Sequence, residues 1–131
     1  MTTIQQILAE QGNPSYCKIE NGPFMPLVIE RIGTGPNGHP AISVAHYYEQ
    51  NGDLLTDPEM CFEECGGKLW PYYFKACTGF EQTVYFTRID GAKMIRPTVR
   101  RELQQFANIW NRNIREQGFV KAAKQTATAI A

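Results

Sequence analysis

The sequence predicts an α+β fold: a curved antiparallel β-meander of about five to six strands, with a short N-terminal helix and a long C-terminal helix packed on the sheet. Two changes of pattern carry that prediction. Between Tyr16 and Ile89 the apolar residues recur with period two, and β-branched and aromatic side chains dominate between Gly, Pro and Asn clusters. From Val99 to Ile114 the period becomes helical, and Gly and Pro disappear.

Each element follows in chain order. Thr3 and Gln6 have the spacing of a capping box, Ile4, Ile7 and Leu8 form one apolar stripe, and Gly12 is a stop signal, so a short helix is expected over 3–11. Strands are expected over 16–20, 25–32, 41–49, 59–64, 69–76 and 81–89. Asn21-Gly22 and Asn51-Gly52 mark tight hairpin turns, because a type I′ turn needs positive φ at both central residues; Gly66-Gly67 is a third turn signal. Pro97 suits the first turn of a helix, where its missing N–H is not needed. Beyond it Val99, Leu103, Phe106, Trp110 and Ile114 recur at steps of 4, 3, 4 and 4, and Gly118 ends the stripe. The stretch 119–131, alanine-rich from Lys121 on, reads as a frayed turn of helix or a flexible tail.

Composition sets the class. A chain of 131 residues, 43% apolar and 20% charged, is expected to form a single α+β domain over 1–131 that buries about two-thirds of its unfolded surface without disulfide or metal. The first residues, MTTIQQILAEQGN, include Glu10 and no basic cluster, unlike a signal or transit peptide, and no apolar run matches a bilayer span. A cytoplasmic location is therefore expected, with Cys17, Cys61, Cys65 and Cys77 as reduced thiols. The net charge of zero hides a split: residues 1–90 hold 5 Lys or Arg against 11 Asp or Glu, and residues 91–131 hold 8 against 2. An acidic body precedes a basic C-terminal part.

Several groupings could carry chemistry. The loop GTGPNGHP (33–40) is glycine-rich but lacks the Lys-Ser/Thr of a P-loop and leads into no helix, so it reads as a mobile hairpin connection. In the following strand His46 shares a face with Ile42 and Val44, as a core histidine with satisfied hydrogen bonds would. Glu49, Asp53, Asp57, Glu59, Glu63 and Glu64 form a carboxylate run without Lys or Arg, which reads as solvated or facing a basic partner. With His46 such a run could instead serve a metal-dependent enzyme, although its spacing matches no calcium loop. The cysteine spacing fits no structural zinc site, and no His adjoins a Cys in sequence to activate it. Arg100, Arg101, Arg112 and Arg115 on the long helix are candidate phosphate contacts, with Lys93 and Arg96 before them. No cofactor is expected.

The segments HYYEQNGDLLTDPEMCFE and LQQFANIWNRNIREQGF resemble a family of small uncharacterised bacterial domains encoded by plasmids, phages and integrative elements, over roughly residues 25–120. The resemblance implies a mobile-element setting and no catalytic residue. The expected function is a non-enzymatic protein-binding accessory role, one version being inhibition of a host defence system. Its candidate surface is Tyr47, Glu49, Asp53, Asp57 and Glu59. The alternatives are a nucleic-acid-binding module using the basic helix and a metal-dependent enzyme on the acidic hairpin. No membrane partner is expected.

Overall fold

The computed structural model describes the backbone over residues 1–130 and the side chains through Gln125. In chain order the elements are α1 (Thr2–Glu10), β1 (Tyr16–Asn21), β2 (Phe24–Thr34), β3 (Pro40–Gln50), β4 (Asp53–Cys65), β5 (Lys68–Lys75), β6 (Glu81–Thr83), β7 (Tyr85–Thr87), β8 (Lys93–Ile95), α2 (Pro97–Glu116) and α3 (Phe119–Ile130). Strands β1 to β6 form one antiparallel meander in sequence order, and β7 and β8 form a separate ribbon. The architecture is thus α+β. Register shifts interrupt the first four pairings, and such bulges bend and twist a sheet.

All three helices lie on one face of the sheet. One row across all six strands, Cys17–Ile29–Val44–Met60–Phe74–Gln82, alternates with its neighbours in the manner of a pleated surface. Its aliphatic members join Ile4, Ile7 and Leu8 of α1, Leu103, Ala107, Trp110 and Ile114 of α2, and Phe119, Ala122 and Ala123 of α3 in one core. The helices are also pinned by polar contacts. The Gln11 side chain donates to the Ala123 carbonyl at 2.7 Å, and Asn21 donates to the Gln117 carbonyl at 2.6 Å.

Five expectations need correction. Helix α1 begins at Thr2 without a side-chain cap; Thr3 is buried instead, its N–H donating to Asn111 Oδ1 at 2.8 Å, because α2 packs over that end. The first hairpin turns on Gly22-Pro23, since Asn21 already pairs with Phe24. Strand β4 begins at Asp53 rather than 59, because Asn51-Gly52, with φ of 53° and 83°, closes a tight hairpin and 53–56 pair with 47–50. The strand expected over 81–89 breaks at Val84, which is fully buried, and Tyr85–Thr87 pairs with Lys93–Ile95, a strand absent from the sequence reading. Finally, Phe119–Ile130 form helix α3, longer than the frayed turn of helix expected there and held on α1 and β1 by Phe119 and two buried alanines; residue 131 lies outside the described residues.

Candidate functional site

Among the described residues no helix covers the face of the sheet opposite α1, α2 and α3. The strand registers place Tyr16, Glu30, Ser43, Cys61, Tyr73 and Thr83 in one row across it, and Lys18, Val28, Ala45, Glu59, Lys75 and Glu81 in the next. At an inter-strand spacing of about 4.8 Å, each row runs roughly 24 Å. The central positions are small: Ala41, Ser43, Ala45 and Cys61 are buried, while Tyr16, Glu30 and Lys18 at the β1 side stand exposed. Tyrosines and carboxylates therefore rise around a floor of short side chains.

In these two rows the carboxylates Glu30, Glu59 and Glu81 stand against Lys18 and Lys75, with Lys75 directly opposite Glu59. Glu59 accepts a hydrogen bond from the Ser43 hydroxyl at 3.2 Å. Burial, then Glu59 and Glu30, push the Tyr47 phenol above its ordinary value. Burial, with Glu81 and Glu59 behind it, raises Tyr73 to about 12. An extra residue in β5, Tyr72, sits where the register slips between Cys61 and Phe62; burial and the neighbouring Cys61 and Glu63 raise its phenol to about 12. Burial and Glu59 likewise push the Cys61 thiol to about 11, so it stays protonated at neutral pH and is a poor nucleophile.

The five residues expected to form one surface do not share a face. Tyr47 and Glu49 of β3 point to the open side, and Leu54, 64% exposed, lies opposite Glu49. Glu59 joins them through its pairing with Ala45. Asp53 and Asp57 go the other way, because β4 carries one residue more than β3 between the Ala45–Glu59 and Tyr47–Thr56 pairs. A one-residue slip exchanges the faces of everything beyond it. Asp57, joined to Pro58 by a cis peptide, turns toward His46 on the helix side and accepts the Cys77 N–H at 3.3 Å.

His46 is the core histidine that its alternation predicts. It is 8% exposed, and Trp110 Nε1–H donates to its Nε2 at 3.2 Å. That bond makes Nε2 the unprotonated nitrogen, so Nδ1–H donates to the Met25 carbonyl at 3.1 Å. Burial lowers its pKa, against smaller opposing contributions from the Met25 and Pro26 carbonyls and Asp57. The ring is neutral, and Trp110 and Phe119 flank it with centroids 5.6 Å away.

Glu63 departs most from its expected solvated position, at 2% exposure. The loop 33–40 folds down on it: Asn37 N–H and His39 N–H donate to Oε2 at 2.9 and 3.2 Å, and the Asn37 amide donates to Oε1 at 2.8 Å. Lys93 in turn binds the Pro36 carbonyl and Asn37 Oδ1. The loop is thus tied down rather than mobile, and the anion its amides hold is an internal carboxylate. A local signal existed in its glycines, but the partner lies 26 residues away.

Basic residues of the C-terminal part divide into two sets. Lys93 lies over the Tyr85 ring, Arg96 lies over Phe86 and donates to Thr83, and Arg115 donates to the Thr3 hydroxyl. Arg100, Arg101 and Arg112 are exposed and form no ion pair among the described residues. At about 100° per residue, Arg100, Arg101, Arg112 and Arg115 fall within about 120° of the α2 circumference, with about 17 Å of helix between Arg101 and Arg112.

Among the described residues no three His, Cys, Asp or Glu side chains converge so as to hold a metal ion, and the carboxylates that the alternative of a metal-dependent enzyme would use are parted by the β4 bulge. The four cysteines are free thiols, Cys65 and Cys77 exposed. No described helix is long and apolar enough to cross a membrane. No curated protein and no solved structure matches the chain. Residues 2–120 match the model of the DUF6908 family, a domain of unknown function, and the chain belongs to that family.

Proposed function

We propose that the protein acts by binding, and that the open sheet face receives a basic surface of a partner protein. The carrying observation is the pair of cross-strand rows that set Tyr16 and Tyr73 with Glu30 and Glu59 over a floor of small residues, with Tyr47, two residues beyond Ala45 on β3, at their edge. Tyrosines contribute contact area with little conformational freedom to lose and are enriched at protein interfaces. Carboxylates among them attract a cationic partner and reject acidic ones. The resemblance to accessory domains of plasmids, phages and integrative elements supports a bacterial mobile-element setting. One version is occupation of the basic groove of a host defence nuclease.

The test is charge reversal on each side of the molecule. Glu30→Lys with Glu59→Lys should abolish partner co-purification from cells carrying the natural host's proteins, while Arg101→Glu with Arg112→Glu leaves it intact. Retention of the same partner by the first variant would remove the basis for this surface.

A second reading, nucleic-acid binding along α2, is favoured by the grouping of Arg100, Arg101, Arg112 and Arg115 on one side of the helix. It predicts DNA or RNA affinity that falls steeply with salt. Binding that is absent, or insensitive to salt, excludes it.

A further inference from the structure

On the helix side of the sheet, a cavity of about 280 Å³ opens between the start of β2, the β4 bulge and α2. Its walls are apolar and aromatic, formed by Phe24, Phe106, Ile109 and Trp110, with the His46 ring among them. Phe24, Met25 and Ile109 are 40%, 40% and 55% exposed. An exposed apolar cluster around a concavity marks a binding place. Among the described residues no Lys or Arg lines the cavity, and His46 is neutral because its Nε2 accepts the Trp110 N–H while its Nδ1–H is given to Met25. Asp57 is therefore the one charged side chain in the lining among the described residues.

We propose that this cavity binds a small organic monocation, its ammonium head against the Asp57 carboxylate and its apolar body along Phe24, Phe106 and Trp110. Asp57 gives one oxygen to the Cys77 N–H and keeps acceptor capacity for a ligand. Asn113 of α2 and Gln117, the residue that caps its C-terminal end, add side-chain amides to the cavity wall. Aromatic faces attract a cation that a neutral or anionic ligand of the same shape does not offer. The volume falls just below the usual range of ligand cavities, about 300 to 1,000 Å³, which suits an arylalkyl amine or one basic side chain rather than a nucleotide. The site is independent of the open face, since Asp57 and Glu59 lie on opposite sides of the sheet.

Three probes of one shape test it: phenethylammonium, 2-phenylethanol and 3-phenylpropionate, titrated into the full chain at pH 7.5 with the Trp110 indole N–H resonance as the readout. The amine should bind at least about tenfold more tightly than the alcohol, and Asp57→Asn should remove that advantage. Asn113→Lys, on the exposed side of α2, should weaken the amine and favour the carboxylate. A blocked lysine tripeptide that shifts the same resonance more strongly assigns the cation to a partner's side chain; a stronger response to the free amine assigns it to a small molecule. Equal affinity for amine and alcohol, or a shift unchanged in Asp57→Asn, overturns the proposal. Repeating the titration with Glu30→Lys and Glu59→Lys should change nothing.

Discussion

Protonation of His46 should weaken the fold, and the structure sets both the sign and an upper bound. The ring is buried, its Nε2 lone pair is taken by Trp110 and its Nδ1–H by Met25, so a second ring proton would meet the Trp110 donor head-on. Burial lowers the folded-state pKa below the unfolded value. Below about pH 6.5 the unfolded chain therefore takes up the proton more readily than the folded one. Stability from this group is complete above about pH 6.5 and declines as pH falls toward the folded-state pKa. The slope cannot exceed about 1.4 kcal/mol per pH unit, so the loss at pH 5.5 is at most about 1.4 kcal/mol. Urea unfolding at pH 7.5, 6.5 and 5.5 measures it. His46→Gln keeps a donor and an acceptor but cannot titrate, so it should be less stable at pH 7.5 and lose less on acidification. An equal decline in wild type and variant would refute the assignment.

Other outcomes follow from the packing. Phe119→Ala removes a fully buried ring that touches His46 and Phe24, and should cost about 3 to 5 kcal/mol in chemical denaturation; a loss under 1 kcal/mol would mean that α3 is not part of the core. Gly35→Ala would place a Cβ 2.3 Å from Glu63 Cγ, whose carboxylate is held by three hydrogen bonds. It should destabilise by about 1 to 3 kcal/mol in thermal melts through that clash, whereas Gly38→Ala, with open space around its Cβ but a φ of 81°, should show only the strain of an alanine at positive φ. Iodoacetamide at pH 7.5 should label Cys65 and Cys77 well before Cys17 and Cys61, read by peptide mass spectrometry, because burial raises the latter two thiols.

Much of the fold is legible in the sequence because it rests on strong periodicities. The stripe from Val99 to Ile114 lies within α2 and covers nearly all of it, and alternation identifies β1, β2, β3 and β5 nearly to their ends. Helix α3 is hidden because its buried face includes Ala122 and Ala123, whose small side chains draw no large-apolar stripe. Strand β6 and the β7–β8 ribbon are short, and the break at Val84 comes from tertiary hydrogen bonds to Tyr72 and Arg96 rather than from a turn residue.

The candidate site is legible in residue type and less so in geometry. Counting by twos from Glu59 back to Asp53 puts Asp53, Asp57 and Glu59 on one face. One extra residue in β4 separates them. Pro58 signals an interruption there, but a strand end and a bulge look alike in the sequence. Glu63 gives no local sign of burial, since the loop that covers it is contributed by a different hairpin.

The central claim is that the face without helices is the working surface. A photoreactive phenylalanine analogue placed in turn at Tyr47, at Tyr73 and at Asn108 of α2 tests it in cells of the natural host. The account predicts one discrete cross-linked protein at Tyr47 and Tyr73, lost when Glu30 and Glu59 are both replaced by lysine, and none at Asn108. Cross-linking confined to Asn108, or unaffected by the charge reversal, would contradict it.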